Sequence, residues 1–319
     1  MQEGVSYIIS TKNRADFLAR TLDNVREFIA PGDELIVMDG GSTDGTADVV
    51  AKNRDIVTSF VSEPDAGEAH GFNKGILLAG RRVIKPITDD DYFYPDAMKY
   101  AAQVMCEHPE LDALVCGGEA YILDSATNEM SLFRYRRLPV GEKVQDVVNM
   151  LRFISCGLGL FLTRNGIART GLFDLTFRLI DTEYLARLAA TRCNVQYLDV
   201  KLYRHITYSH SASKLYPVQV RDTARVFLRF GEWETLMLKT TPQGLANALG
   251  ADKLPGGRFL ARCVFALETI RHKLPWLYVG LEWLFAPLAG LFGRVWKRLS
   301  KAETPRLLTE PEWDRSLRS

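Results

Sequence analysis

Hydrophobic and polar positions follow two rhythms along the first two hundred residues. Residues 5–10 (VSYIIS), 34–38 (ELIVM), 57–61 and 82–87 are short apolar runs rich in β-branched side chains, as expected of strands buried on both faces. Between them, apolar residues recur at helical spacing. Phe17, Leu18, Leu22, Val25 and Phe28 mark a helix over 16–28, and shorter helices are expected over 46–52 and 68–79. Pro31-Gly32 is a turn. Strand and helix alternate four times, which predicts a parallel sheet covered by helices with right-handed crossovers. Ligands of such sheets bind beyond the carboxyl ends of the strands.

The pattern then becomes mixed. A helix is expected over 95–107, with Pro95 suited to its first turn. Strands are expected within 113–135 (ALVCGG, AYILD, SLFRY), a helix at 144–153, a strand at 158–163, a helix at 181–190 and a closing strand at 195–198. Residues 221–238 are amphipathic, and 240–257 read as a linker rich in Gly, Pro and polar residues.

Composition narrows the partners. The 319 residues carry a net charge of +1, which gives no reason to expect nucleic acid. Cys106, Cys116, Cys156, Cys193 and Cys263 are scattered, with no CxxC pair, as expected of reduced thiols in the cytoplasm. MQEGVSYIIS lacks a basic region followed by an apolar one, so no signal peptide is expected.

Polar motifs follow the strands. Ser10-Thr11-Lys12-Asn13-Arg14 comes after the first strand, where a dinucleotide-binding enzyme would carry GxGxxG, and no glycine lies between Gly4 and Gly32. After the second, Asp39 can accept from a base or ribose, although Asp39-Gly40-Gly41-Ser42-Thr43-Asp44 equally suits a turn and helix cap. After the third, Pro64-Asp65-Ala66-Gly67 turns into a helix whose N-terminus can face an anion, with Asn73 and Lys74 as added donors or as a solvated polar face. After the fourth comes Thr88-Asp89-Asp90-Asp91. Three adjacent carboxylates repel unless water screens them or a cation such as Mg²⁺ or Mn²⁺ is near, and a helix N-terminus is the other setting that suits them.

Taken in order, VSYIISTKNRADFLARTLDNV, ELIVMDGGSTDGT, SEPDAGEAHGFNKGI, TDDDYFYPDAM and FDLTFRLIDTEYLARLA resemble the inverting family 2 glycosyltransferases of GT-A fold over roughly residues 4–200. The resemblance implies a nucleoside-diphosphate-sugar donor, Mn²⁺ or Mg²⁺, and single-step transfer with inversion. Thr11 and Asp39 fall where the family contacts the nucleoside, and Asn13, Asp65, Asn73, Lys74 and Asp90 complete the expected donor set. Asp89 and Asp91 match the ends of the DxD motif, with Asp91 the metal ligand and Asp89 facing ribose or metal. Asp181 matches the general base, and Glu183 and Arg187 the polar remainder of its helix. His205 is a further candidate metal ligand, with Arg204 a possible phosphate contact beside it. The sequence departs from the family in Gly67–Gly75, where relatives often read GIYDAMNKG, and in Ser155-Cys156-Gly157-Leu158-Gly159, where many carry a His-Gln-like pair.

Charge is uneven towards the C-terminus. Residues 256–301 hold eight Lys/Arg against Glu268 and Glu282. Residues 274–296 (LPWLYVGLEWLFAPLAGLFGRVW) are long enough to span a bilayer. Glu282, at a cost of about 3 kcal/mol in a bilayer centre, and Pro275 and Pro287 favour interfacial helices on an anionic membrane. A packed hairpin, a homodimer interface and a spanning segment are the alternatives.

The expected architecture is a Rossmann-like α/β GT-A domain over 1–215, with a mixed, mostly parallel sheet, and a helical, membrane-associating region over 216–319. The expected function is metal-dependent transfer of a sugar to a lipid-linked or glycan acceptor at the inner face of the cell membrane. A sugar nucleotidyltransferase would need a Gly-rich basic loop that residues 11–15 lack. A non-catalytic binding protein keeping the fold is the other alternative.

Overall fold

A computed structural model of the chain describes residues 2–123, 127, 129–136 and 157–208, with 222, 225, 226, 229 and 230. Residues up to 208 belong to one unit, and 222–230 to a second, 214–308. The expected helices at 144–153 and in the C-terminal region, the segment 274–296, Ser155 and Cys156 lie outside the described residues. Among those described, no helix is long and apolar enough to cross a membrane.

The first half alternates as the sequence predicts: β1 (Gln2–Thr11), α1 (Ala15–Arg26), β2 (Glu34–Asp39), α2 (Thr46–Lys52), β3 (Ser59–Ser62), α3 (Glu68–Leu78) and β4 (Arg81–Ile87). All six residues of β2 are buried, as a strand covered on both faces requires. On α1, Leu18, Leu22 and Val25 are fully buried at successive helical turns. The second half contains β5 (Tyr92–Phe93), α4 (Pro95–Glu107), β6 (Ala113–Leu123), β7 (Met130–Arg136), a 3₁₀ turn at Gly157–Gly159, β8 (Leu160–Thr163), α5 (Arg164–Thr170), α6 (Ile180–Ala190) and β9 (Val195–Tyr208).

The sheet runs β3-β2-β1-β4-β8-β6-β9-β5, with β7 beside β6. β1 to β4 are parallel, β8 runs antiparallel to β4 and β6, and β6 and β9 are again parallel. The result is the mixed, mostly parallel sheet expected. Register pairs Thr11 with Asp39, Asp39 with Ser62 and Ile9 with Ile87, so the first four strands end along one edge.

Two expectations change. ALVCGG and AYILD are not separate strands but belong to the single strand β6. Gly117-Gly118 reads as a break, yet a Cβ at Gly118 would overlap the Tyr203 ring, so glycine there makes room for packing rather than a turn. β9 does not stop at Leu198; it continues to Tyr208 through shifts in register beside Gly117 and Gly118.

Helix α3 lies close on β1 and β2. A Cβ at Gly75 would overlap Ile8 Cγ2 and come within 3.2 Å of Met38 Cγ. Ile8 is fully buried and stiff at χ1, so it cannot give way. Gly75→Val is expected to destabilise the fold by about 1–3 kcal/mol through overpacking, measured by urea denaturation.

Candidate active site

The acid triplet follows β4 at the aligned strand ends. Thr11 Oγ1 donates to Asp89 Oδ2 at 2.7 Å, and Thr21 Oγ1 donates to the Asp89 carbonyl at 2.9 Å. Arg14 lies 3.2 Å from Asp89 Oδ1 and 2.6 Å from Asp90 Oδ2. Burial lowers the Arg14 pKa, but Asp90 and Asp89 more than offset it, and the net shift is upward. Burial, helped by the Asp90 charge and opposed by Thr11 and Arg14, pushes Asp89 up to about 6.

Asp91 turns the other way. Its Oδ2 accepts from Thr88 Oγ1 at 2.6 Å, and its Oδ1 lies 2.7 Å from His205 Nδ1. Antiparallel pairing of β5 with β9 sets Tyr92 opposite Arg204 and brings His205 beside Asp91. Two of the three residues expected to hold a metal, Asp91 and His205, are thus together, 114 positions apart in sequence, while the third, Asp89, bonds Thr11 and Arg14. Among the described residues, no three His, Cys, Asp or Glu side chains cluster into a metal cage.

The loop after β2 builds itself from the expected nucleoside contacts. Asp39 is 2% exposed. Its carboxylate accepts from the Ser42 backbone N–H at 3.0 Å, from Ser42 Oγ, and from Ser62 Oγ at 2.6 Å. Those bonds give Asp39 a turn-building role beside its expected contact with the nucleoside, since three donors leave part of its acceptor capacity open. Asn13, at φ 53°, accepts from the Thr43 N–H at 2.8 Å and joins the loops after β1 and β2. Asp65 instead reaches the end of β2, where a Cβ on Gly40 would come within 2.9 Å of both its carboxylate oxygens. Gly67 N–H donates to Asp65 Oδ1 at 3.0 Å.

On α3, Asn73 is buried and spent on the chain itself. Its amide donates to the Phe173 carbonyl at 2.8 Å and accepts from the Phe173 N–H at 2.9 Å. Burial and this double bond give Asn73 a structural role in joining α3 to Phe173. Lys74 pairs with Glu63 at 3.0 Å, with 18% of its side chain exposed. A pair at this rim contributes about 1 kcal/mol at most and leaves the ammonium open to exchange.

Sequence reasoning passed over Glu68, the first residue of α3. Surrounding protein pushes its carboxyl up to about 7, and the charges of Asp181, Asp90, Asp89 and Asp91 act in the same direction. The residue is nevertheless exposed, and solvent screening there weakens the shift. The charges of Asp181 and of the acid triplet thus act on the same carboxyl. Arg14 was also passed over, although three adjacent acids call for a cation and the loop after β1 supplies one.

Asp181 lies in the first turn of α6, whose cap is Leu179. Asp181 is thus inside the helix rather than its cap, and its Oδ1 accepts from the Thr182 N–H at 2.7 Å. Behind it, Glu183 and Arg187 form a buried pair, with Arg187 Nε donating to Glu183 Oε1 at 3.1 Å. The expected polar remainder of the helix is thus structural.

A mixed sheet with an acid triplet at the parallel strand ends is the architecture of GT-A glycosyltransferases. The family model of glycosyl transferase family 2 matches residues 6–160 of the chain. The chain is 29% identical over 178 residues to poly-beta-1,6-N-acetyl-D-glucosamine synthase of Staphylococcus epidermidis, a match covering 54% of this chain and 42% of that relative. It is 24% identical over 177 residues to the synthase of the same name from Staphylococcus aureus, again with 54% and 42% covered. The chain thus matches less than half the length of these relatives. Among solved structures, S. aureus TarS 1–349 shares the fold at a TM-score of 0.56 and 16% identity, covering 84% of this chain and 80% of that one. The mannosyltransferase PcManGT from Pyrobaculum calidifontis, in complex with GDP-Man and Mn²⁺, shares it at a TM-score of 0.57 and 18% identity, covering 94% and 88%.

Proposed function

We propose that the protein transfers a sugar from a nucleoside-diphosphate donor to a hydroxyl of a growing glycan or lipid-linked acceptor, with inversion and with the help of a divalent cation. The observation that supports this reading is the acid triplet at the aligned ends of the parallel strands, with His205 Nδ1 2.7 Å from Asp91 Oδ1 and with the charge of Asp181 acting on the same Glu68 as the triplet. Asp181 accepts the proton of the acceptor hydroxyl as it attacks the anomeric carbon. A single displacement from the side opposite the leaving diphosphate inverts that carbon. Thr11 and Asn13 shape the nucleoside side, and Asp65 is the acceptor group for base or ribose. Arg14 and Lys74 supply positive charge at the rim.

Asp91 and His205 are the protein ligands we assign to the cation. Their facing atoms lie 2.7 Å apart, near the separation of neighbouring ligands in one coordination sphere, and a carboxylate with an imidazole suits Mn²⁺ better than Mg²⁺. Two protein ligands completed by donor phosphates is a common arrangement for such ions. When bound, the cation stabilises the negative charge of the departing diphosphate.

A polysaccharide product is supported by the names of the curated relatives, and UDP-GlcNAc or GDP-Man as donor by the complexes of TarS and PcManGT. The aromatic segment 274–296, within the basic stretch 256–301, supports an acceptor presented at the inner membrane face. The test is a thermal-shift screen of UDP-GlcNAc, UDP-glucose and GDP-mannose with and without Mn²⁺, followed by product analysis with the stabilising donor. A Mn²⁺-dependent rise in melting temperature with at least one donor is expected. No shift with any of them, at concentrations up to millimolar, overturns the reading.

A further inference from the structure

We propose that Asn73 is a positioning residue for Asp181, one half of a clamp that ties α3 to the start of α6. The proposal rests on Asp181 being the general base. Asn73 is 8% exposed, and both ends of its amide are bonded to the backbone of Phe173, at 2.8 and 2.9 Å. The other half comes from α6. Arg187 Nη1 donates to the carbonyls of Thr170 and Leu172, each at 2.7 Å. Its Nε and Nη2 are held by Glu183, at 3.1 and 2.5 Å, with Glu183 fully buried. Tyr184 Oη lies 2.7 Å from Thr170 Oγ1, and the Phe173 ring packs against Phe72 of α3 and Tyr184 of α6, with centroids 6.0 and 4.6 Å away.

Residues 170–173 are therefore gripped from both sides. Only 174–179 separate them from α6, whose second residue is Asp181. The opposing force is electrostatic, because the Asp181 charge at the start of α6 disfavours ionisation of Glu68 at the start of α3. Neutral hydrogen bonds to backbone, together with one buried and internally paired Arg, hold the two helix starts together without adding net charge. Asn73 thus acts on the acceptor side of the reaction, through the base, although it sits on the helix expected to serve the donor.

The test measures transfer kinetics and binding of the nucleoside diphosphate with Mn²⁺, on the full chain. Asn73→Ala is expected to lower kcat by about 10- to 100-fold, the effect of a small misplacement of a catalytic group, with nucleotide affinity unchanged. Arg187→Lys keeps the charge opposite Glu183 but not the fork that reaches two carbonyls, so the same pattern is expected from a variant that preserves the buried pair. If Asn73→Ala does not fold, Arg187→Lys decides the matter. In an Asp181→Asn background, Asn73→Ala is expected to slow the residual transfer no further, since residues acting as a unit are not additive. Loss of nucleotide affinity matching the loss of rate overturns the proposal, because Asn73 then contacts the donor. An equal slowing in both backgrounds, or wild-type kcat in Arg187→Lys, also overturns it, and the base assignment survives. A wild-type rate in Asp181→Asn alone removes the base and the proposal together.

Discussion

Asp181→Asn is expected to lower the rate of transfer by about 10²- to 10⁴-fold while leaving nucleotide affinity at its wild-type value. The substitution is nearly isosteric. A side-chain amide oxygen can still accept the Thr182 N–H that anchors Oδ1 at 2.7 Å, so the first turn of α6 is preserved. What disappears is the only function we assign to the carboxylate, acceptance of a proton from a hydroxyl that is a poor nucleophile at neutral pH. A second consequence gives an independent check. Asp181 is the foremost charge acting on Glu68, so the Glu68 carboxyl, held up to about 7, is expected to titrate lower in the variant. A transfer rate within twofold of wild type would end the assignment of Asp181 as base.

The parallel half of the fold was legible because its signals are local. Each of the first four strands is a short β-branched run, each helix has a continuous apolar stripe, and observed boundaries agree with the expected ones to within a few residues. The second half depended on long-range packing. Nothing in LGLFLT announces that β8 will run antiparallel between β4 and β6, because strand direction is set by connection and neighbour rather than by composition. Gly117-Gly118 signals a break in isolation, and only the Tyr203 ring explains it as a close approach. β5 is two residues long, too short for any periodicity, yet its pairing with β9 delivers His205 to Asp91.

The candidate site divides along the same line. The acid triplet and Asp181 could be located from motif order, because carboxylates at strand ends are conspicuous and costly. The division of labour among the remaining polar residues could not. Asp39 and Asn73 each satisfy several backbone or hydroxyl groups, and such bonds depend on loops brought together across 23 and 100 positions. From sequence, a polar residue that builds a loop and one that waits for a ligand look alike. Burial and hydrogen-bond partners, visible only in the fold, describe what each holds in the chain, as the contrast between buried Asp39 and the more open Asp65 illustrates.

Asp91→Asn and His205→Ala are each expected to abolish stabilisation by Mn²⁺ with a nucleoside diphosphate, and to slow transfer by about 10³-fold. For the wild-type protein, ligand at about 100 times its Kd adds roughly 2.7 kcal/mol. For a domain of this size that corresponds to a rise of about 5–10 °C in melting temperature. The two residues stand apart from their neighbours in their partners. Asp89 is committed to Thr11 and Arg14, and Asp90 to Arg14, so that part of the triplet is already balanced by a fixed cation. Asp91 faces an imidazole, which ligates metal only when neutral and therefore offers no permanent counter-charge. On the proposed reading a bound cation would relieve the repulsion on Asp91, and removing either partner would leave one protein ligand, too few to hold the ion. The melting-temperature comparison needs no acceptor and no turnover, so it reads the cation site apart from the chemistry. Asp39→Asn serves as the contrast, since its carboxylate is engaged within its own loop and its loss is expected to lower stability while preserving the Mn²⁺-dependent increment. A full increment in Asp91→Asn would place the cation elsewhere along the strand ends.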